Sequence, residues 1–145
     1  MKNSNEATPG PLPVVGDIWY RYEDVLYAAP LDEFDYPTGS PRLAVELRTF
    51  QVKKVTPKGV WVGRWSSTIP YLFEGEKHRF VLFDARKQFA CPSKLKALES
   101  FVARKERQSG ILSSQLRRAD QSVAIGKQMI DKESQSIQQI EVGVV

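Results

Sequence analysis

The chain of 145 residues has one cysteine, one histidine and no apolar run long enough to cross a bilayer. Each shortage closes off a class of protein. Cys91 alone cannot form an internal disulfide framework, and a lone thiol fits a reducing compartment. The longest apolar stretches, LPVVG and RFVLF, are far below the length of a spanning helix, and MKNSNEATPGPLP has no core able to act as a signal peptide. His78, flanked by Lys77 and Arg79, reads as a surface histidine, and no serine or cysteine has the surroundings of an activated nucleophile. CxxC, HExxH, a Gly-rich phosphate loop and EF-hand spacing are all missing. The expectation is a cytosolic protein that is not an enzyme and uses no metal or cofactor.

What is present suffices for a packed core. Hydrophobic residues make up 41% of the chain and aromatics 10%, which argues against wholesale disorder. The net charge of +4 is a weak basic bias. Residues 1–91 carry 12 basic side chains against 11 acidic ones, and residues 92–145 carry 9 against 6, so the excess lies toward the C-terminus.

Along the chain, residues 1–12 read as a flexible polar arm and 13–91 as a small β domain. In 16–29, Ile18, Tyr20 and Tyr22 alternate with Asp17, Trp19, Arg21 and Glu23, the period-2 pattern of a sheet with one buried face. Residues 30–42, with three prolines, one glycine and three acids, predict a long loop. Asp32, Glu33 and Asp35 there match no cation-binding loop and read as solvated acids. The strand over 43–55 places Leu43, Val45 and Leu47 on one face, then shifts phase to Phe50 and Val52, which predicts a β-bulge or bend near Arg48 and Thr49. Thr56-Pro57-Lys58-Gly59 predicts a type I turn in which Gly59 is free to take positive φ. Strand 60–65 returns antiparallel, with Val60 and Val62 on one side and Trp61, Gly63 and Trp65 on the other. A loop over 66–77 and a strand and turn within 78–90 follow. Four or five sharply turning strands suggest a small SH3-like barrel.

No proline follows Pro92, and residues 92–140 predict one long helix capped by Ser93, ahead of a tail over 141–145. Lys96 stands where a capping-box acid belongs. Counting in sevens, position a is Leu95, Val102, Ser109, Leu116, Val123, Ile130 and Ile137; position d is Leu98, Lys105, Leu112, Ala119, Gly126, Glu133 and Ile140. The seam predicts self-association through Leu95, Leu98, Val102, Leu112, Leu116, Ala119, Val123 and Ile130. A break at Ser109-Gly110, folding the segment into a two-helix hairpin, is the competing reading. The fold class expected is therefore α+β, a small antiparallel barrel followed by a long coiled-coil-like helix.

One surface suggests binding. Arg48, Lys53, Lys54, Lys58, Trp61, Arg64, Trp65, Lys77 and Arg79 cluster on a hairpin and the next strand. Cationic groups beside aromatic faces suit phosphate, nucleotide or nucleic-acid contacts; alternatively, the tryptophans are core or lid residues and the lysines protect an edge. The candidate contact residues are Arg48, Lys54, Trp61, Arg64, Trp65 and Arg79. A basic band on the helix, Arg104, Lys105, Arg107, Arg117 and Arg118, reads as a solvated flank or as the counterpart of an acidic partner.

Arg86-Lys87, Phe89-Ala90, Pro92-Ser93 and the stretch Ala103, Arg104, Lys105, Arg107, Gln108 resemble short accessory proteins that recur in tailed-bacteriophage and prophage genomes, and TPKGVWV has the same look. The resemblance covers about two-thirds of the chain. Lys94 and Lys96 depart from it, because acids commonly follow the cap in such proteins. It implies a phage accessory protein and supplies no activity; the function expected is non-enzymatic binding as a homo-oligomer in the host cytoplasm, directed against a host defence component or its nucleotide signal. A nucleic-acid-binding module and a virion or assembly component are the rival expectations.

Overall fold

A computed structural model describes residues 12–143. Most of the arm expected over residues 1–12, and the last two residues of the expected tail, lie outside the described residues. Four strands, β1 (Ile18–Tyr27), β2 (Arg42–Val55), β3 (Gly59–Arg64) and β4 (Arg79–Leu82), form one antiparallel sheet in that order, and a single helix, α1 (Lys94–Gly143), follows. The class is α+β, as the patterning predicts, with the sheet curled into a half-barrel. The chain after β4 returns to the first strand. Tyr20 and Cys91 exchange two backbone hydrogen bonds of 2.7 and 2.8 Å, which fasten Cys91, just ahead of the helix, to β1.

The core lies on one face of the sheet. Trp19, Phe50, Val52, Val60, Val62, Val81 and Ala90 are buried together, with Phe83 and Phe89 packed against them. Each buried Val or Phe side chain among them contributes roughly 1.5–3 kcal/mol. On β1 the fully buried residue is therefore Trp19, from the more polar of the two alternating rows, while Ile18, Tyr20 and Tyr22 are only half-buried. Trp19 stands opposite Phe50 in the ladder.

β1 and β2 pair without interruption from Ile18–Gln51 to Tyr27–Arg42, so no bulge occurs at Arg48–Thr49. The irregularity lies further on, between Val52 and Lys54, where the pairing with β3 shifts by one residue. The change of apolar phase has a different cause. β2 turns Phe50 and Val52 into the core at one end, and at the other it leaves Leu43 and Val45 exposed on the opposite face.

Gly59 also has a role other than the one its turn suggested. Its φ is not positive; Gly16, Gly39 and Gly75 are the described glycines in that region. A Cβ at Gly59 would stand 2.2 Å from the backbone oxygen of Val81, so a missing side chain is what lets β4 pair at this position. The turn itself is closed by Thr56, whose N–H and hydroxyl both donate to the Gly59 carbonyl, at 2.8 and 2.9 Å.

The chain divides into two compact units, one ending at Val102 and the other beginning at Ala103, and α1 contributes to both. Ser93 caps the helix as predicted: its hydroxyl accepts from the Lys96 N–H at 3.2 Å, and its carbonyl from Ala97. Within the first unit Ala97 and Phe101 are buried, and they are the only buried residues of the helix among the described residues. α1 passes Gly110 and Gly126 without a break, which removes the hairpin reading, and it continues past Ile140 to Gly143. No helix among the described residues is long and apolar enough to cross a membrane.

Two glycine substitutions separate these roles. Gly59→Ala should lower the unfolding free energy by about 1–3 kcal/mol in urea titration, because backbone must move to admit the methyl group. Gly110→Ala, where a Cβ meets open space, should instead stabilise the helix by about 1 kcal/mol, read as a higher melting temperature of the helical circular-dichroism signal.

Candidate functional site

The face that buries the core becomes charged toward the other end of each strand. Period-2 alternation puts Arg21 and Glu23 in line with Trp19, Arg48 in line with Phe50, Arg64 in line with Val62, and Arg79 in line with Val81. The ladder then sets Arg21 opposite Arg48, Phe50 opposite Arg64, and Val62 opposite Arg79. Arg48, Arg64 and Arg79 thus converge, with Glu23, Glu76, Lys77 and Phe89, on a cleft of about 360 Å³ whose floor is Phe50 and Val62.

Each guanidinium is held differently. Arg21 and Arg48 face one another across the ladder, and Glu23 lies against both, 2.8 Å from Arg21 Nε and 3.6 Å from Arg48 Nε. Arg48 also reaches Glu46 at 3.2 Å. Burial alone would raise the Glu23 pKa; the hydrogen bond from Arg21 and the charges of Arg21 and Arg48 outweigh it and hold the carboxyl below its ordinary value. Glu46 in turn accepts from the Tyr27 hydroxyl, which pushes that exposed phenol's pKa up.

Arg64 and Arg79 take part in no ion pair among the described residues. Their guanidiniums rest on rings instead, Arg64 at 4.1 Å from the centroid of Phe73 and Arg79 at 4.4 Å from that of Phe89. Arg21 also lies 4.4 Å from the Phe89 centroid and donates to the Phe89 carbonyl at 2.8 Å. Stacking restrains a guanidinium while leaving its N–H fork available to an incoming anion.

The expected contact surface is thus divided between two faces. Arg48, Arg64 and Arg79 share the cleft. Lys54 and Trp61 are cross-strand partners on the other face, where the Trp61 and Phe80 rings pack at a 50° tilt with centroids 5.2 Å apart, beside Thr56, Pro57 and Lys58. Trp65, half-buried, lies in an adjoining pocket with Lys53, Tyr71, Phe73 and His78. One extra residue of spacing sends Trp61 outward while Val60, Val62 and Arg64 face in. Glu23, Phe73, Glu76 and Phe89 were not among the expected contacts; the Trp19-Arg21-Glu23 row was the signal for Glu23. In the acidic loop, Asp32 accepts the N–H groups of Phe34 and Tyr36, both at 2.9 Å, so that carboxylate shapes its own turn. The seam residues Leu95, Leu98, Val102, Leu112, Leu116, Ala119, Val123 and Ile130 are all exposed.

No family model matches the chain, and comparison with curated proteins and with solved structures yields no match either.

The lowered Glu23 pKa has a signed consequence. A depressed carboxylate stabilises the fold above the unfolded value of 4.5 and loses that contribution as pH falls through the lower folded value. Glu23→Gln should cost under about 1 kcal/mol at neutral pH, since the side chain is 40% exposed. In chemical denaturation at several pH values, the gap between wild type and variant should close below pH 4.5.

Proposed function

We propose that the chain is a non-enzymatic binding protein, acting as a homo-oligomer, whose cleft receives a phosphate-bearing ligand. The observation that carries this reading is the pair Arg64 and Arg79, fixed on aromatic rings in one cleft and without a carboxylate partner among the described residues. Arg48 differs, because Glu23 and Glu46 already occupy it. A nucleotide suits the cleft, since its phosphates can take the guanidinium forks of Arg64 and Arg79. The exposed seam of α1 supplies the copies, and thereby multivalency.

The phage-like stretches around Arg86–Ser93 and Ala103–Gln108 support a setting inside the bacterial host, where such a protein would bind a defence component or withhold its nucleotide signal. In that reading the curled sheet serves as an SH3-like module, a support for the site with no chemistry of its own.

The test is capture of ligands from host lysate on the immobilised full chain, followed by titration with the nucleotides recovered. Arg64→Ala and Arg79→Ala should each weaken binding at least about tenfold, the scale of a lost charged hydrogen bond. Trp61→Ala, on the opposite face, should leave affinity unchanged. Equal affinity for all three variants would remove the cleft from the proposal. Recovery of long nucleic acid whose affinity falls steeply with salt would favour the nucleic-acid reading instead.

A further inference from the structure

We infer that α1 pairs with one second copy of itself in antiparallel orientation, with Leu95 of each chain set against Ile140 of the other. This rests on the self-association proposed above and adds its direction and register. The seam of α1 is exposed along an uninterrupted helix, and its heptad positions form one stripe that drifts about 20° per heptad, a drift that supercoiling around a partner removes. Two of its d positions are charged, Lys105 and Glu133, and two sites are small, Ser109 at a and Gly126 at d.

Parallel, in-register pairing sets each residue against its own copy. Lys105 would face Lys105 and Glu133 would face Glu133 within the seam, where like charges are least tolerated. Reversing one helix sets each a against a d. With Leu95 opposite Ile140 of the partner, the same offset places Leu98 opposite Ile137, Leu112 opposite Val123 and Leu116 opposite Ala119, while Val102 meets Glu133 and Lys105 meets Ile130. Ser109 then meets Gly126 of the partner. Lys105 lies one layer from Glu133 of the partner, within reach of its long side chain, and the contact occurs twice by symmetry. Lys105 donates to Gln108 of its own helix at 3.0 Å.

Charge reversal reads the orientation. Sedimentation equilibrium of the full chain should give a dimer. Lys105→Glu alone and Glu133→Lys alone should each weaken it about tenfold, from two repulsive contacts of ordinary ion-pair size. The double reversal should restore the wild-type constant. Unchanged constants for both single variants would indicate a parallel pair, in which like still faces like, and would overturn the inference while leaving self-association intact. A wild-type monomer would overturn both. Circular dichroism guards against a misfolded variant, and cysteine cross-linking gives an independent reading: Ser109→Cys chains should cross-link on oxidation to Gly126→Cys chains and not to one another. The reverse pattern would equally sink the antiparallel register.

Discussion

Water contact along the a and d rows of α1 is the constraint on which the rest of this molecule turns. The helix runs for 50 residues and buries only Ala97 and Phe101. Those two belong to the first turns and to a different stripe from Leu95, Leu98 and Val102. Burial in those first turns leaves Leu95, Leu98 and Val102 exposed. Isolated helices gain little from propensity alone, and most helical stability in proteins comes from a covered apolar stripe. The exposed stripe of α1 is the feature on which the proposed self-association rests.

The β unit meets a different constraint, since a single curled sheet must hold both its core and its cleft on one face. Each of the four strands divides that face. Apolar residues such as Trp19, Phe50, Val62 and Val81 pack at one end, and Arg21, Arg48, Arg64 and Arg79 gather at the other. Phe89 joins the two halves. It packs edge-on against Phe50, with ring centroids 5.1 Å apart, while two guanidiniums stand 4.4 Å from its centre. Restraint in the core thereby passes to the arginines. Glu23 and Glu46 neutralise Arg21 and Arg48, which divides the basic groups into a structural pair and a pair with donors to spare.

Strand identity, the 56–59 turn, the Ser93 cap and the long helix were legible because each depends on neighbours within a few positions. Period 2, Pro-x-Gly spacing and a hydroxyl just after Pro92 are local signals, and the seven-residue repeat is only a longer version of the same kind. Readings that needed the third dimension came out differently. Trp19 looked like a member of the polar row because its neighbours are Asp17, Arg21 and Glu23; the cross-strand partner Phe50 makes it core. Gly59 looked like a turn glycine, yet the oxygen of Val81, 22 residues away, is what excludes a side chain there.

By itself, then, the order of residues determined the elements, their periodicity and the seam, since these follow from backbone geometry and the spacing of apolar groups. Only the tertiary structure decided which face of the sheet is buried, and that decision sorted the basic cluster. Proximity in sequence had put Trp61 beside Arg64 as one surface. A side chain changes sides at every step along a strand, so the two lie on opposite faces, and the ladder unites Arg64 instead with Arg79 and, through β2, with Arg48.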